Sequence, residues 1–235
     1  MAQRISENVW QVQDTTLRMP VVIRDAALAA AVFTCDPAAA RRALAGTGLD
    51  PLVLGRRSLA TLVCVQYRDG DLGPYNEVGL LLAVRGPGGG IGGHTLELPV
   101  TQEFTLEAGR DIWALPKWLA QCDMAFERRR TTVLLADGDT LVLAAMLRRG
   151  RVPLPLAVRG QLTAFSVRQG AGTLCGRTTM RLHGLRLRPG GTRLVLGEHR
   201  MADTARALGM AGRPLCTVTA TKLTMQLGEW DSLPA

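Results

Sequence analysis

The stretch Thr131 to Met146 reads TTVLLADGDTLVLAAM, two apolar runs rich in Val and Leu joined by Asp137-Gly138. Asp-Gly accepts the positive backbone dihedrals of a two-residue turn, so this segment is a β-hairpin. A similar pattern appears upstream, where Thr61 to Tyr67 alternates, Arg68-Asp69-Gly70-Asp71 turns the chain, and Val78 to Val84 runs apolar again. Further strand-like pieces are His94 to Val100, Gln161 to Arg168, Thr178 to Leu187, Thr192 to Leu196 and Leu215 to Leu227. Parallel sheets need a crossover of a dozen or so residues between strands, commonly helical, and this chain offers hairpins instead. The expected fold class is α+β, mainly antiparallel and barrel-like, with few short helices.

Helix signals are sparse. Asp36-Pro37-Ala38-Ala39-Ala40 carries an N-cap aspartate and a proline at the first helical position, which predicts a helix from Pro37 to about Ala45. A second short helix is expected near Ala202 to Leu208. Between Gly109 and Arg130, apolar Ile112, Leu115, Leu119 and Met124 have helical spacing, interrupted by Pro116. Proline costs about 3 kcal/mol inside a helix but suits a first turn, so a helix is predicted to start near Pro116, with Lys117 at its beginning. The polar first 20 residues, closed by Pro20, read as an arm around a single domain spanning 1–235.

With 235 residues and 47% of them hydrophobic, the chain buries a substantial core and is not disordered. No run of about 18 apolar residues occurs, and MAQRISENVW has no apolar signal region, so a cytoplasmic protein without membrane insertion is expected. The cysteines Cys35, Cys64, Cys122, Cys175 and Cys216 are odd in number and never spaced as C-x-x-C, and read as small core residues. The net charge of +8 raises nucleic acid as a partner. Its arginines, however, sit in four separate short clusters: Arg41-Arg42, Arg56-Arg57, Arg128 to Arg130, and Arg148, Arg149 and Arg151. Aromatic residues make up only 4%, too few for a base-stacking surface, so no nucleic-acid partner is expected.

Several chemistries fall away. Gly88 to Gly93 contains G-x-G-x-x-G, but a strand-like segment follows it where a dinucleotide site needs a helix, so the glycines read as a hairpin tip. There is no G-x-S-x-G elbow or Walker sequence, and His94, His183 and His199 lack metal-ligand spacing. No cofactor or metal is expected. Lysine usage is more informative, because only Lys117 and Lys222 occur among 28 basic residues. Lys117 lies in Trp113-Ala114-Leu115-Pro116-Lys117-Trp118-Leu119-Ala120, an apolar run. Desolvation there favours a neutral, nucleophilic amine able to condense with a ketone; the competing reading is a lysine with its stem on apolar surface and its head in water. In Leu72-Gly73-Pro74-Tyr75-Asn76-Glu77, Glu77 follows a Gly-Pro turn at a strand mouth, fit for proton transfer or simply an exposed strand end.

These two segments, about 30 residues apart, resemble the signature segments of the acetoacetate decarboxylase superfamily. Weaker similarity extends from Val21 to the final strand. The resemblance implies antiparallel sheets curled into a barrel or cone, a homo-oligomer and a small keto acid as substrate. It also implies a Schiff-base lysine at Lys117, a catalytic carboxylate at Glu77, and Arg24 holding the substrate carboxylate. Two departures stand out. The family's second lysine after the Schiff-base lysine is Trp118 here, and Gly55 to Gln66 lacks the further acid found on the preceding strand. Burial by Trp113, Leu115 and Trp118 is then expected to tune the amine and line the substrate site. A β-keto acid decarboxylase leads, with a keto-acid aldolase or dehydratase using the same iminium as the alternative. A non-catalytic small-anion binding protein is the alternative of another class.

Overall fold

The computed structural model describes residues 1–151, 153, 158–168, 170 and 172–233. Seven strands close on themselves. In chain order they are β1 (Val21–Cys35), β2 (Ser58–Gly70), β3 (Tyr75–Arg85), β4 (Ile91–Val100) and, after four strands that lie outside the ring, β9 (Val158–Arg168), β10 (Gly172–His183) and β12 (Cys216–Leu227). The first four pair antiparallel in sequence order, β9 pairs with β10, and β10 with β12. β12 returns to β1, and β4 meets β9 in parallel at Gly93 and His94, so no open edge remains around the ring. The expected antiparallel barrel is present, with one short parallel seam.

A sheet of four further strands packs outside the barrel: β6 (Gln121–Phe126), β7 (Arg130–Asp137), β8 (Thr140–Arg148) and β11 (Thr192–Leu196). The β7–β8 hairpin turns at Asp137 to Thr140, with Gly138 at φ 56°, where the sequence places it. Among the described residues the α-helices are α1 (Pro37–Ala43), α2 (Glu103–Trp113) and α3 (Arg200–Ala207). The first is capped by the Asp36 carboxylate, which accepts from the Ala38 N–H at 2.6 Å. Residues 1–20 form a three-stranded meander rather than a plain arm, and they bury Val12 and Leu17.

The helix expected to begin near Pro116 is corrected. Helical residues run from Glu103 to Trp113, capped by the Gln102 side chain accepting from the Thr105 N–H at 3.3 Å. Ala114 takes the left-handed conformation at φ 49° and ends the helix. Lys117 therefore opens a strand, β5 (Lys117–Leu119), which pairs in parallel with Leu98 to Val100 of β4. The helical spacing of Ile112, Leu115, Leu119 and Met124 is the accidental sum of a helix end, a turn and two strands. Val21 to Cys35 is one strand whose register slips at Asp25, a bulge that accommodates the charged pair Arg24-Asp25.

Alternation along the strands sorts the apolar residues into two cores. One fills the space between barrel wall, outer sheet and α3, and contains Leu62, Leu80, Leu135, Trp118 and Met201. The other joins the N-terminal meander, α2 and the inner barrel face, with Val65, Tyr67, Tyr75, Ile112, Trp113 and Leu223. All five cysteines are free thiols, three of them buried.

Candidate active site

Lys117 and Glu77, 40 positions apart in sequence, meet within the barrel: Nζ lies 2.9 Å from Oε2. Lys117 is only 4% exposed. Its ammonium has three donors, and a second points to Thr105 Oγ1 at 2.8 Å. The Tyr75 ring faces the same nitrogen, 5.2 Å from its centroid. Glu77 accepts a further hydrogen bond on its other oxygen, from the Tyr67 hydroxyl at 3.0 Å. Tyr67 and Tyr75 pair directly across the β2–β3 hairpin and stack with centroids 4.3 Å apart. Burial and the Glu77 charge push both phenols well above their ordinary range, so they remain hydroxyl donors.

The backbone explains how the lysine reaches this position. Gly109, in the middle of α2, lies against the Lys117 stem: a Cβ there would sit 2.4 Å from Cδ and 2.6 Å from Cε. Only glycine leaves room for the aliphatic chain to pass the helix. The next residue holds the strand, since Arg110 Nε donates to the Lys117 carbonyl at 2.7 Å. The end of α2 is fixed in turn by Arg168, which donates to the carbonyls of Asp111 and Ile112, and by Ser166, which donates to that of Trp113. A cation at a helix C-terminus also complements the helix dipole.

Above the amine is a cavity of about 50 Å³, with walls from Ile23, Leu72, Leu98, Leu115, Met225 and Leu227 besides the polar residues already named. Trp113 completes it, 1% exposed, its indole donating to the Gly228 carbonyl at 2.8 Å.

Of the residues singled out in the sequence, the structure brings together Lys117, Glu77 and Trp113. It does not bring Arg24 or Trp118 to them. Arg24 follows Ile23, whose side chain faces the cavity, so by strand alternation its own side chain points out. There it pairs with Asp69 at 2.8 Å and Asp71 at 2.6 Å, half exposed. Trp118 faces the other core, where its indole donates to the buried Glu97 at 2.9 Å and its ring lies over His199 and Arg200. Arg200 closes the same network with a short contact to Glu97. The side chain that follows Lys117 in sequence thus points away from the amine and contributes nothing to the cavity wall. Sequence reading missed Thr105, Tyr67, Tyr75 and Gly109. The two tyrosines were accessible to it, because they flank one turn at matching distances from it and are the only tyrosines in the chain.

A closed seven-stranded barrel with extra strands and few helices is the fold of acetoacetate decarboxylase-like proteins. The chain belongs to the acetoacetate decarboxylase (ADC) family, whose model matches residues 9–231. Among solved structures, acetoacetate decarboxylase from Legionella pneumophila aligns with a TM-score of 0.66 at 18% identity, covering 98% of this chain and 92% of that one. The enduracididine biosynthesis enzyme MppR, complexed with pyruvate, aligns with 0.68 at 15% identity over 93% and 92% of the two chains. An acetoacetate decarboxylase-like enzyme from Sphingomonas wittichii RW1 gives 0.64 at 16% identity over 93% and 94%. No curated protein matches the sequence significantly. At these identities the structural likeness speaks for the fold.

Proposed function

We propose that the protein is a cofactor-independent decarboxylase of a small β-keto acid, working through an iminium on Lys117. The observation that carries this reading is the amine itself, buried and held between Glu77 and Thr105 at the base of a small, mostly apolar cavity. Transfer of one proton from Lys117 to Glu77 leaves a neutral amine beside a neutral acid, so the buried pair carries no net charge before or after. The amine lone pair attacks the ketone carbon, the oxygen is protonated, and water leaves to give the iminium. The bond to the carboxylate then breaks, its electrons flow into the iminium, and carbon dioxide departs from the resulting enamine. Glu77, 2.9 Å from the nitrogen, gives its proton to the departing water, takes another from solvent and delivers it to the enamine carbon, and hydrolysis frees the ketone and Lys117.

No arginine lines the cavity among the described residues. A substrate carboxylate enters walls of leucine and methionine, which solvate it poorly and favour its conversion to neutral carbon dioxide. The cavity size suits a substrate of only a few carbons.

Borohydride trapping tests the reading. Reduction in the presence of acetoacetate or pyruvate is expected to add the ligand's mass to the Lys117 peptide and not to the Lys222 peptide. Carbon dioxide release is expected from acetoacetate and its short homologues. Trapping with pyruvate but no carbon dioxide from any β-keto acid would move the enzyme to aldol or dehydration chemistry. Tight keto-acid binding with no adduct anywhere would make it a binding protein.

A further inference from the structure

Two of the arginine clusters that lie apart in the sequence come together in the fold. Arg128 to Arg130 form the turn between β6 and β7 and the first residue of β7, while Arg148 ends β8 and Arg149 and Arg151 follow it. Register places Arg130 opposite Arg148, and the Arg149 N–H donates to the Arg129 carbonyl at 2.9 Å. A third segment, Arg186–Pro189, adds Arg186 and Arg188. It is fastened to the second: Arg186 Nη1 donates to the Arg151 carbonyl at 2.6 Å, and a Cβ on Gly150 would lie 2.3 Å from the Leu187 carbonyl. Close backbone packing therefore holds the three segments side by side.

The result is a cleft of about 690 Å³ in which, among the described residues, Met146 and Gly150 are the only lining residues that are not arginine. Among the described residues it shares none with the lining of the Lys117 cavity. Among the described residues, only Arg130 has a carboxylate partner, Glu127 at 2.9 Å. Arg186 Nε is buried with no acceptor within reach among the described residues. Arg149 feels the crowding: burial first, and then the neighbouring Arg186, lower its affinity for its proton. Such a concentration of like charge is unfavourable in the free protein and is relieved by a dense anion.

We propose that this cleft is a binding site for a small oligophosphate, a ligand carrying several phosphoryl groups in a compact chain. Guanidinium forks engage phosphoryl oxygens two at a time, and eight arginines match a multivalent ligand rather than a single carboxylate. The volume lies in the range of small-molecule sites. Among the described residues the cleft has no aromatic side chain in its lining on which a nucleobase of a single strand would stack.

The test is calorimetry of the full chain with inorganic tripolyphosphate at low and moderate salt. Binding of one ligand per chain, weakening steeply with salt, is expected. The double variant Arg129→Gln/Arg148→Gln changes two exposed side chains and is expected to lose about tenfold or more in affinity. Arg41→Gln/Arg42→Gln removes the same charge from exposed positions on α1 and is expected to bind like the parent. Equal losses in the two variants would assign binding to overall charge and overturn the proposal, as would no binding at millimolar ligand. Tighter, cleft-dependent binding of single-stranded DNA than of tripolyphosphate would make it a nucleic-acid site. A change of oligomeric mass in Arg129→Gln/Arg148→Gln, with no ligand binding by the parent, would give the cleft to a second copy of the chain. Either of these also sinks the proposal.

Discussion

Replacing Gly109 by alanine separates the geometry of the amine from the stability of the fold. The residue sits in mid-helix with ordinary helical dihedrals, where alanine is favoured over glycine by about 1 kcal/mol. The new methyl group would lie 2.4 Å from Lys117 Cδ, whereas ordinary contact begins at 3.4 Å, so the stem must retreat by about 1 Å. Retreat is resisted, because the nitrogen is tied at 2.8 Å to Thr105 and 2.9 Å to Glu77 and the residue is buried. Overpacking of this kind costs roughly 1–3 kcal/mol, which offsets the helix gain and leaves a net loss of about 0–2 kcal/mol. Melting temperature is thus expected to fall by no more than a few degrees. A 1 Å displacement of a reacting group costs about a hundredfold in rate, and that loss is expected in the rate of borohydride-trapped adduct formation at Lys117. A folded Gly109→Ala protein that forms adduct at the parental rate would refute the claim that this contact positions the amine.

Lys117→Arg keeps the charge but cannot condense, and both adduct and turnover are expected to vanish, as read by peptide mapping and carbon dioxide release. Glu77→Gln is expected to retain adduct formation while slowing turnover by about two to four powers of ten; normal turnover would make Glu77 structural. Trp118→Phe deprives the buried Glu97 of a donor and is expected to cost roughly 1–3 kcal/mol in a denaturant melt, leaving the adduct rate and its pH profile unmoved because the ring faces away from the cavity. The only two tyrosines, Tyr67 and Tyr75, have phenols pushed well above their ordinary range, so the folded protein is expected to show no tyrosinate absorbance as pH passes about 10. Unfolded phenols ionise there while folded ones do not, so the stabilisation from their burial is complete below about pH 10 and is lost as pH rises above it.

The hairpin at Asp137-Gly138 was legible because its turn chemistry is local, and so was the helix start at Asp36-Pro37. The error at Pro116 has a physical root. Apolar spacing over Gly109 to Arg130 reports burial, not the backbone that produces it, and the left-handed Ala114 that ends α2 has no glycine to announce it. Lys117 and Glu77 stood out by residue type and motif. Thr105 did not, because a threonine becomes an amine's partner only when helix and strand are folded together. Arg24 misled for the opposite reason: its neighbour Ile23 faces the cavity, and strand alternation then sends the arginine outward to Asp69 and Asp71. The two arginine clusters at Arg128 and Arg148 look independent until the β7–β8 register sets them face to face.

The three-residue strand β5 has a consequence for how such a protein can diverge. Lys117 and Trp118 are consecutive, yet one faces the cavity and the other a core shared with the outer sheet and α3. Mutations behind the strand are selected for packing and those in front for reactivity, with little cross-talk through side chains. A change at position 118 is met by Glu97 and Arg200 behind the strand and leaves the electrostatic surroundings of the amine unaltered. What such drift cannot alter freely is the backbone between them, since the path of the strand is common property of both faces.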